Sequence, residues 1–322
     1  MSRTPAPAAL GRPGRISLRL GRGPGAGAKA PAPIGSGRRW VLFFLGPTLI
    51  GLLLLSAAPI GAAFGISLTE WDLLTAPQFI GFDNYVSLLS DHRFLMALRN
   101  TTFYTLASVP ASLVLSLGLA LALNQSFRGI AWIRTAYFIP IVTSATAIGL
   151  VWMWIYAPTG GLLNQFLVAL GIQPQRWIAD PFWAMPAIVV MSVWQGLGTS
   201  TIIFLAGLQG VPQEYYDAAS VDGAGRWRRF RDVTLPLITP SLFFTGILAL
   251  ISAFQIFDQV YVLARPGKPT DATVTVVYWI YENGFNFFKM GYASAASWVL
   301  FAIVGVLTAI YFRSQRRWVH YQ

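Results

Sequence analysis

The sequence predicts an all-α, polytopic membrane protein with six transmembrane helices and both termini on the cytoplasmic side. Three observations carry this prediction. Of 322 residues, 55% are apolar and 11% charged, whereas a soluble domain carries about 25% charge. Six stretches, 41–68, 101–123, 135–156, 182–208, 237–263 and 290–312, reach the roughly 20 residues a span requires, with Asp258 as their single internal charge. Lys and Arg, finally, gather in alternate connections: Arg3 to Arg39 before the first span, Arg128 and Arg134, then Arg226, Arg228, Arg229 and Arg231, and at the end Arg313, Arg316 and Arg317. That alternation places those connections in the cytoplasm. The opposite side holds Arg93, Arg99, Arg176, Arg265, Lys268 and Lys289 among the acids Glu70, Asp72, Asp83, Asp91, Asp180, Asp271 and Glu282.

In chain order, residues 1–39 are mostly Gly, Pro, Ala and Arg with no acid, a composition that cannot bury a core and reads as a disordered basic tail. Arg38-Arg39 resembles a twin-arginine export signal, but the apolar run after it is longer than a signal h-region. The spanning domain is 40–312, and 313–322 is a second cytoplasmic tail. Pro47, Pro59, Pro110, Pro140, Pro186 and Pro240 fall inside the spans and predict kinked helices. Gly61 and Gly65 form a GxxxG pair suited to close helix contact. Trp40, Trp71, Tyr156 and Trp318 lie near span ends and read as interface anchors. The spans lack the ten-residue alternation of membrane strands, which argues against a barrel.

Several chemistries are excluded. The chain has no cysteine and two histidines, His92 and His320, on opposite sides of the membrane, so no thiolate zinc site, His-based metal site or Ser/His/Asp triad can be assembled. Gly267-Lys268 is followed by Pro269 and lacks phosphate-loop spacing, and Gly23, Gly25 and Gly27 lie in the tail with no strand before them. The net charge of +11 resides in the connections, and no nucleic-acid partner is expected.

The cytoplasmic connection 210–236 is too long for a simple turn and too ordered for a linker. Pro212 suits a first helical position, Glu214 and Asp217 favour a helix amino terminus, Ala218 and Ala219 are good helix formers, and Gly223 supplies the stop. A second helix is expected from Arg226 to Val233, with Leu235-Pro236 leading into the fifth span. A short helix with small residues in its body can lie closely against another protein, and the alternative is a solvated amphipathic loop.

Asp217-Ala218-Ala219, three residues, Gly223, nine residues, then Val233-Thr234-Leu235-Pro236 resembles the EAA loop of ABC importer permeases at every spacing. The string Glu214-Tyr215-Tyr216-Asp217-Ala218-Ala219-Ser220-Val221-Asp222-Gly223-Ala224 is similar to the carbohydrate-uptake branch, the permeases for maltose and glycerol 3-phosphate. So are Phe79-Ile80-Gly81-Phe82-Asp83-Asn84-Tyr85 and Phe257-Asp258-Gln259-Val260-Tyr261-Val262-Leu263. Two departures stand out: Asp217 replaces the usual Glu, and Ala264-Arg265-Pro266-Gly267-Lys268-Pro269 replaces a Thr-Gly-Gly-Gly-Pro turn.

The resemblance implies a type I ABC importer permease fold in the bacterial cytoplasmic (inner) membrane and transport rather than bond chemistry. It implies ATP and Mg on two partner ATP-binding subunits and no cofactor on this chain. Its further partners would be a second permease, usually a different chain, an extracytoplasmic solute-binding protein and a sugar. The ATPase-coupling residues would be Glu214, Asp217, Ala218, Ala219, Asp222, Gly223, Leu235 and Pro236. An acid at the depth of Asp258 is costly unless it faces a cavity or a partner: it either lines the sugar path with Gln255 and Tyr261, or is structural near the outer mouth. Trp194, Gln195 and Thr199 are a second pathway cluster, or packing. A gradient-driven secondary transporter or channel, or a membrane scaffold, are the rival readings.

Overall fold

The computed structural model describes residues 37–125, 129–263 and 270–319. The tail to residue 36, the departure at 264–269 and the last three residues lie outside the described residues. The chain divides into two compact units, 1–56 and 57–322.

The first unit is described from helix α1, Gly37–Leu52, so helix begins inside the segment read as tail. Trp40, Phe43 and Phe44 pack on one another along it. A π-helical turn, Leu53–Ala57, follows, and α2, Ala58–Ser67, begins with Pro59 in its first turn. Proline lacks an N–H and its ring collides with the carbonyl four residues back, so a widened turn ahead of it relieves both problems. By length and hydropathy Phe43–Ser67 is one candidate span.

In the second unit, α2 leads into a small antiparallel pair, β1 (Thr69–Glu70) and β2 (Gln78–Phe79), then α3, Asp83–Ser90. Asp72 accepts from the backbone of Thr75 and Leu74 and from the Thr75 hydroxyl, which holds its carboxyl below the usual range. Helix α4, His92–Leu123, is capped by Asp91, which accepts from the N–H groups of Arg93 and Phe94. Then come α5 (Ile130–Val142), α6 (Ala145–Ile155), α7 (Leu162–Ala169), α8 (Ala184–Gln209) and α9 (Gln213–Val221). After them run α10 (Arg226–Arg229), a π-turn Phe230–Thr234, α11 (Leu235–Leu237) and α12 (Thr239–Phe254). The chain ends with α13 (Asp258–Leu263), α14 (Thr270–Thr273), α15 (Val276–Tyr281), a π-turn Glu282–Asn286 and α16 (Met290–Trp318).

Among the described residues, four helices are long and apolar enough to cross a membrane, and the number rises to six if each of two bent pairs is one span. The second, fourth and sixth expected spans correspond to α4, α8 and α16. The third and fifth, expected as kinked helices with Pro140 and Pro240 inside them, are each divided into separate helices. α5 and α6 meet at 104°: the backbone turns extended at Thr143, which ends α5, while the Thr143 hydroxyl donates to the Ile139 carbonyl at 2.8 Å. In the fifth, helix Arg226–Leu237 bends by 66° into α12, and α12 stops at Phe254, leaving Gln255, Ile256 and Phe257 between it and α13. The Ile256 carbonyl freed by that break accepts from the Thr275 hydroxyl at 3.2 Å. The last helix continues through 313–318 instead of ending at Phe312.

Helices α4 and α8 make the most extensive pairing, with α12 beside α4 and α16 against α2 and α12. Gly198 lets α8 approach α5, since a Cβ there would meet the Tyr137 carbonyl and Ile141, and at Gly246 it would meet Tyr311 of α16. Gly61 and Gly65 instead face open space, so the GxxxG pair makes no close contact among the described residues. Tyr156 is no interface anchor: it is 3% exposed and donates to the Ala187 carbonyl at 2.9 Å. Large apolar side chains remain bare, Trp132 at 81% and Val142 at 85%, which a water-exposed surface could not sustain but lipid or neighbouring spans satisfy.

Asn164 fixes the connection after α6. Its amide donates to the carbonyls of Ala157, Pro158 and Gln175, and its oxygen accepts from Gln175 N–H and Trp177 Nε1.

Candidate functional site: a polar cavity and a docking hairpin

A cavity of about 490 Å³ opens between α4, α8, α12 and the start of α13, within the size range of small-ligand pockets. Its wall is built by helical periodicity. Tyr104, Ser108 and Ser112 recur every four residues on α4; Ser192, Gln195, Thr199 and Ile203 do so at three- and four-residue steps on α8; Thr245, Ala249 and Ser252 continue the surface from α12. Three apolar helices thus each turn one hydroxyl-bearing stripe inward. Gln255, Phe257, Asp258 and Gln259 close one end, and the Gln259 amide donates to the Gln195 side-chain oxygen at 3.1 Å.

Of the pathway candidates, the structure brings together Gln195, Thr199, Gln255 and Asp258 on this wall. Trp194 stands outside it, 41% exposed and edge-on to Trp152; Tyr261 stacks on Phe257 at 5.4 Å without lining the cavity. Asp258 is not buried within a continuous span: it opens α13 at the break after α12, with its side chain exposed. A carboxylate in the first turn of a helix, exposed at a polar cavity, escapes most of the cost of burial. Among the described residues it is the cavity's one carboxylate, and none of those on the wall is Lys, Arg or His. The hydroxyls of Tyr104, Ser108, Ser112, Ser192 and Ser252, and Gln259, were missing from the sequence candidates. Their signal was the polar recurrence at helical spacing.

The cavity's end is braced by the segment 270–286. The Asn100 amide donates to the carbonyls of Asp271 and Val274, Val276 N–H donates to the Thr101 hydroxyl, and Arg93 pairs with Glu282 at 2.8 Å. Tyr292 donates to Asp91 at 2.9 Å. Among the described residues no group of three or more His, Asp or Glu is placed to hold a metal.

At the far end of α8, residues 210–236 fold as a helical hairpin. Pro212 is the N-cap of α9, one residue ahead of the expected first position. The helix ends in a Schellman arrangement: Gly223 has φ +73°, its N–H donates to the Ser220 carbonyl, and Ala224 N–H donates to the Ala219 carbonyl at 2.9 Å. α9 is anchored through Tyr216, whose hydroxyl lies 3.1 Å from that of the buried Thr234, and through its packing beside Leu208, Val211 and Ile238. Tyr216 and Ala219 are therefore half-buried, while Glu214, Asp217, Ala218 and Asp222 are exposed. Gln213 donates to Asp217 at 3.2 Å. Leu235 and Pro236 are half-buried where the hairpin bends into α12.

Comparison with known proteins agrees with this architecture. Residues 94–319 match the model of the family described as binding-protein-dependent transport system inner membrane component. A probable ABC transporter permease protein of Bacillus subtilis, YesP, is 40% identical over 283 residues, 87% of this chain and 91% of the relative. The sulfoquinovosyl glycerol transport system permease SmoG of Agrobacterium fabrum is 36% identical, covering 86% and 90%. The trehalose/maltose transport system permease MalF of Thermococcus litoralis is 34% identical, covering 84% and 91%. A chain of a bacterial alginate ABC transporter, solved in complex with an alginate pentasaccharide-bound periplasmic protein, superposes with a TM-score of 0.78 at 24% identity over 87% of this chain and 96% of that one; the likeness establishes the fold. The chain is a multi-pass membrane protein belonging to the binding-protein-dependent transport system inner membrane component family.

Proposed function

We propose that the chain is the membrane-spanning permease subunit of an ATP-driven importer for a sugar or sugar derivative, alternating access being coupled to separate ATPase subunits through residues 210–236. The observation that carries this reading is the α9 hairpin, tied down on one face by Tyr216 and Thr234 and presenting Glu214, Asp217, Ala218 and Asp222 on the other. A short helix so fixed transmits a push through Leu235-Pro236 to the 66° bend between Leu237 and Thr239 and into α12, which lines the cavity. Glu214 and Asp217 supply polar contacts to the ATPase, Ala218 permits close approach, and Ala219 with Gly223 keeps the hairpin compact. ATP and Mg reside on those partners, and binding of ATP drives the switch by favouring one state over the other.

A second permease, usually a different chain, and an extracytoplasmic solute-binding protein complete the assembly. The hydroxyls, amides and single carboxylate of the cavity suit a polyhydroxylated substrate, which exchanges hydrogen bonds with water for hydrogen bonds with the wall. Relatives named for lactose, trehalose/maltose and diacetylchitobiose transport support the substrate class. The Arg-rich hairpin, with Arg313 and Arg316 at the end of α16, supports cytoplasmic placement of both ends. Uptake of labelled sugar by vesicles containing the assembled transporter should require ATP on the hairpin side and persist after ion gradients are collapsed by ionophores. Uptake driven by a gradient without ATP would assign the chain to secondary transport.

A further inference from the structure

Four aromatic rings run outward from the cavity in an unbroken series. Phe257 belongs to the cavity wall; Tyr261 stacks on it at 5.4 Å and Tyr281 lies 5.2 Å from it, 5.5 Å from Tyr261; Phe285 stacks on Tyr281 at 5.5 Å. Phe257 and Tyr281 are half-buried, and Tyr261 and Phe285 are exposed, Phe285 at 58%. Its two distal members stand on α15 and the π-turn Glu282–Asn286, which Arg93 pins through Glu282 and Asn100 pins through Asp271 and Val274. A π-turn is a costly local geometry that recurs at functional sites. Here it turns Phe285 to continue the series.

Resting on the importer reading, we infer that Phe257, Tyr261, Tyr281 and Phe285 form an aromatic track that receives pyranose rings at the mouth and passes them to the hydroxyl-lined cavity. The chemistry fits a ring that is polar at its rim and apolar on its faces. An aromatic face covers the C–H face of a pyranose while leaving its hydroxyls to water, and tyrosine adds a hydroxyl at its edge. The successive centroid spacings of 5.2–5.5 Å approximate the width of one sugar ring, so a saccharide can step from one ring to the next without losing all contact. A lipid tail or a neighbouring span would cover the same rings, but neither accounts for the continuity with a polar cavity through Phe257.

The test uses the complete transporter in proteoliposomes, with ¹⁴C-labelled maltose, trehalose, lactose and diacetylchitobiose as probes and the best-transported of the four chosen for kinetics. Tyr281→Leu keeps apolar volume without an aromatic face, whereas Tyr281→Phe keeps the face. Loss of one stacking contact should lower the maximal uptake rate of Tyr281→Leu roughly tenfold, with Phe285→Ala in the same direction and Tyr281→Phe close to the unaltered protein. ATP hydrolysis stimulated by the sugar-loaded binding protein should persist in all three, because assembly and coupling are untouched. Equal uptake by Tyr281→Leu and Tyr281→Phe would overturn the track. So would loss of the second permease from purified Phe285→Ala complexes, which would identify the rings as a subunit contact. ATP-independent uptake of all four sugars, or no uptake of any by the unaltered transporter, would instead refute the importer reading on which the track rests.

Discussion

Gly223→Pro is expected to reduce sugar uptake to background while the chain still inserts and its binding protein still binds sugar. The residue at this position must adopt φ +73° and donate to the Ser220 carbonyl, whereas proline is locked near −65° and has no N–H. Both bonds that end α9 then fail together, and the docking helix loses its fixed angle to the 226–237 segment. Ala218→Arg should give the same loss by a different route. Ala218 is exposed, so the hairpin still folds, but a long charged side chain is forced into the surface offered to the ATPase. Disruption at the centre of an interface typically costs about 2–4 kcal/mol, roughly a 30- to 1,000-fold loss of affinity. ATPase retention and uptake measured in parallel separate the two mechanisms. Normal uptake in both variants would refute coupling through 210–236.

Asp258→Ala should lower uptake per molecule by about 10- to 100-fold, the worth of a hydrogen bond to a charged group of roughly 1.5–3 kcal/mol. Asp258→Asn, which keeps an acceptor oxygen without the charge, should fall between. The basis is position: Asp258 opens α13 with its carboxylate at the cavity, and among the described residues of the wall there is no cation. If the acid served only to hold α13 in place, Asp258→Ala would instead reduce the amount of folded protein and leave the rate per molecule unchanged. Quantifying membrane-inserted chain alongside uptake decides between these.

The hairpin was legible residue by residue because its determinants are local: a Pro to start α9, a Gly to stop it, and a fixed spacing to Leu235-Pro236. The spans were legible as composition and their bends through Pro140 and Pro240, but the full breaks were not. Hydropathy does not register that the backbone turns extended at Thr143, or that Thr275, 19 residues away, donates to the Ile256 carbonyl beyond the end of α12. The hydroxyl wall was hidden for a related reason. Ser and Thr in apolar helices commonly bond the carbonyl four residues back, as Thr101, Thr105 and Thr245 do, so an isolated hydroxyl in a span carries little information. Only the coincidence of three stripes on α4, α8 and α12 distinguishes the cavity, and that coincidence is tertiary. Trp194 illustrates the converse: adjacent to Gln195 in sequence, it projects from the other side of α8 onto Trp152. Tyr281 and Phe285 fall in what reads as a plain outer connection, and only its bracing by Arg93 and Asn100 brings them to Phe257.

The most direct test of the central claim is recovery of this chain from native membranes in mild detergent, followed by mass spectrometry of what accompanies it. The coupling hairpin predicts co-recovery of an ATP-binding subunit and a second multi-span permease, with the ATP-binding subunit lost selectively from Ala218→Arg. Recovery of the chain alone, under conditions that preserve other membrane complexes, would contradict the account.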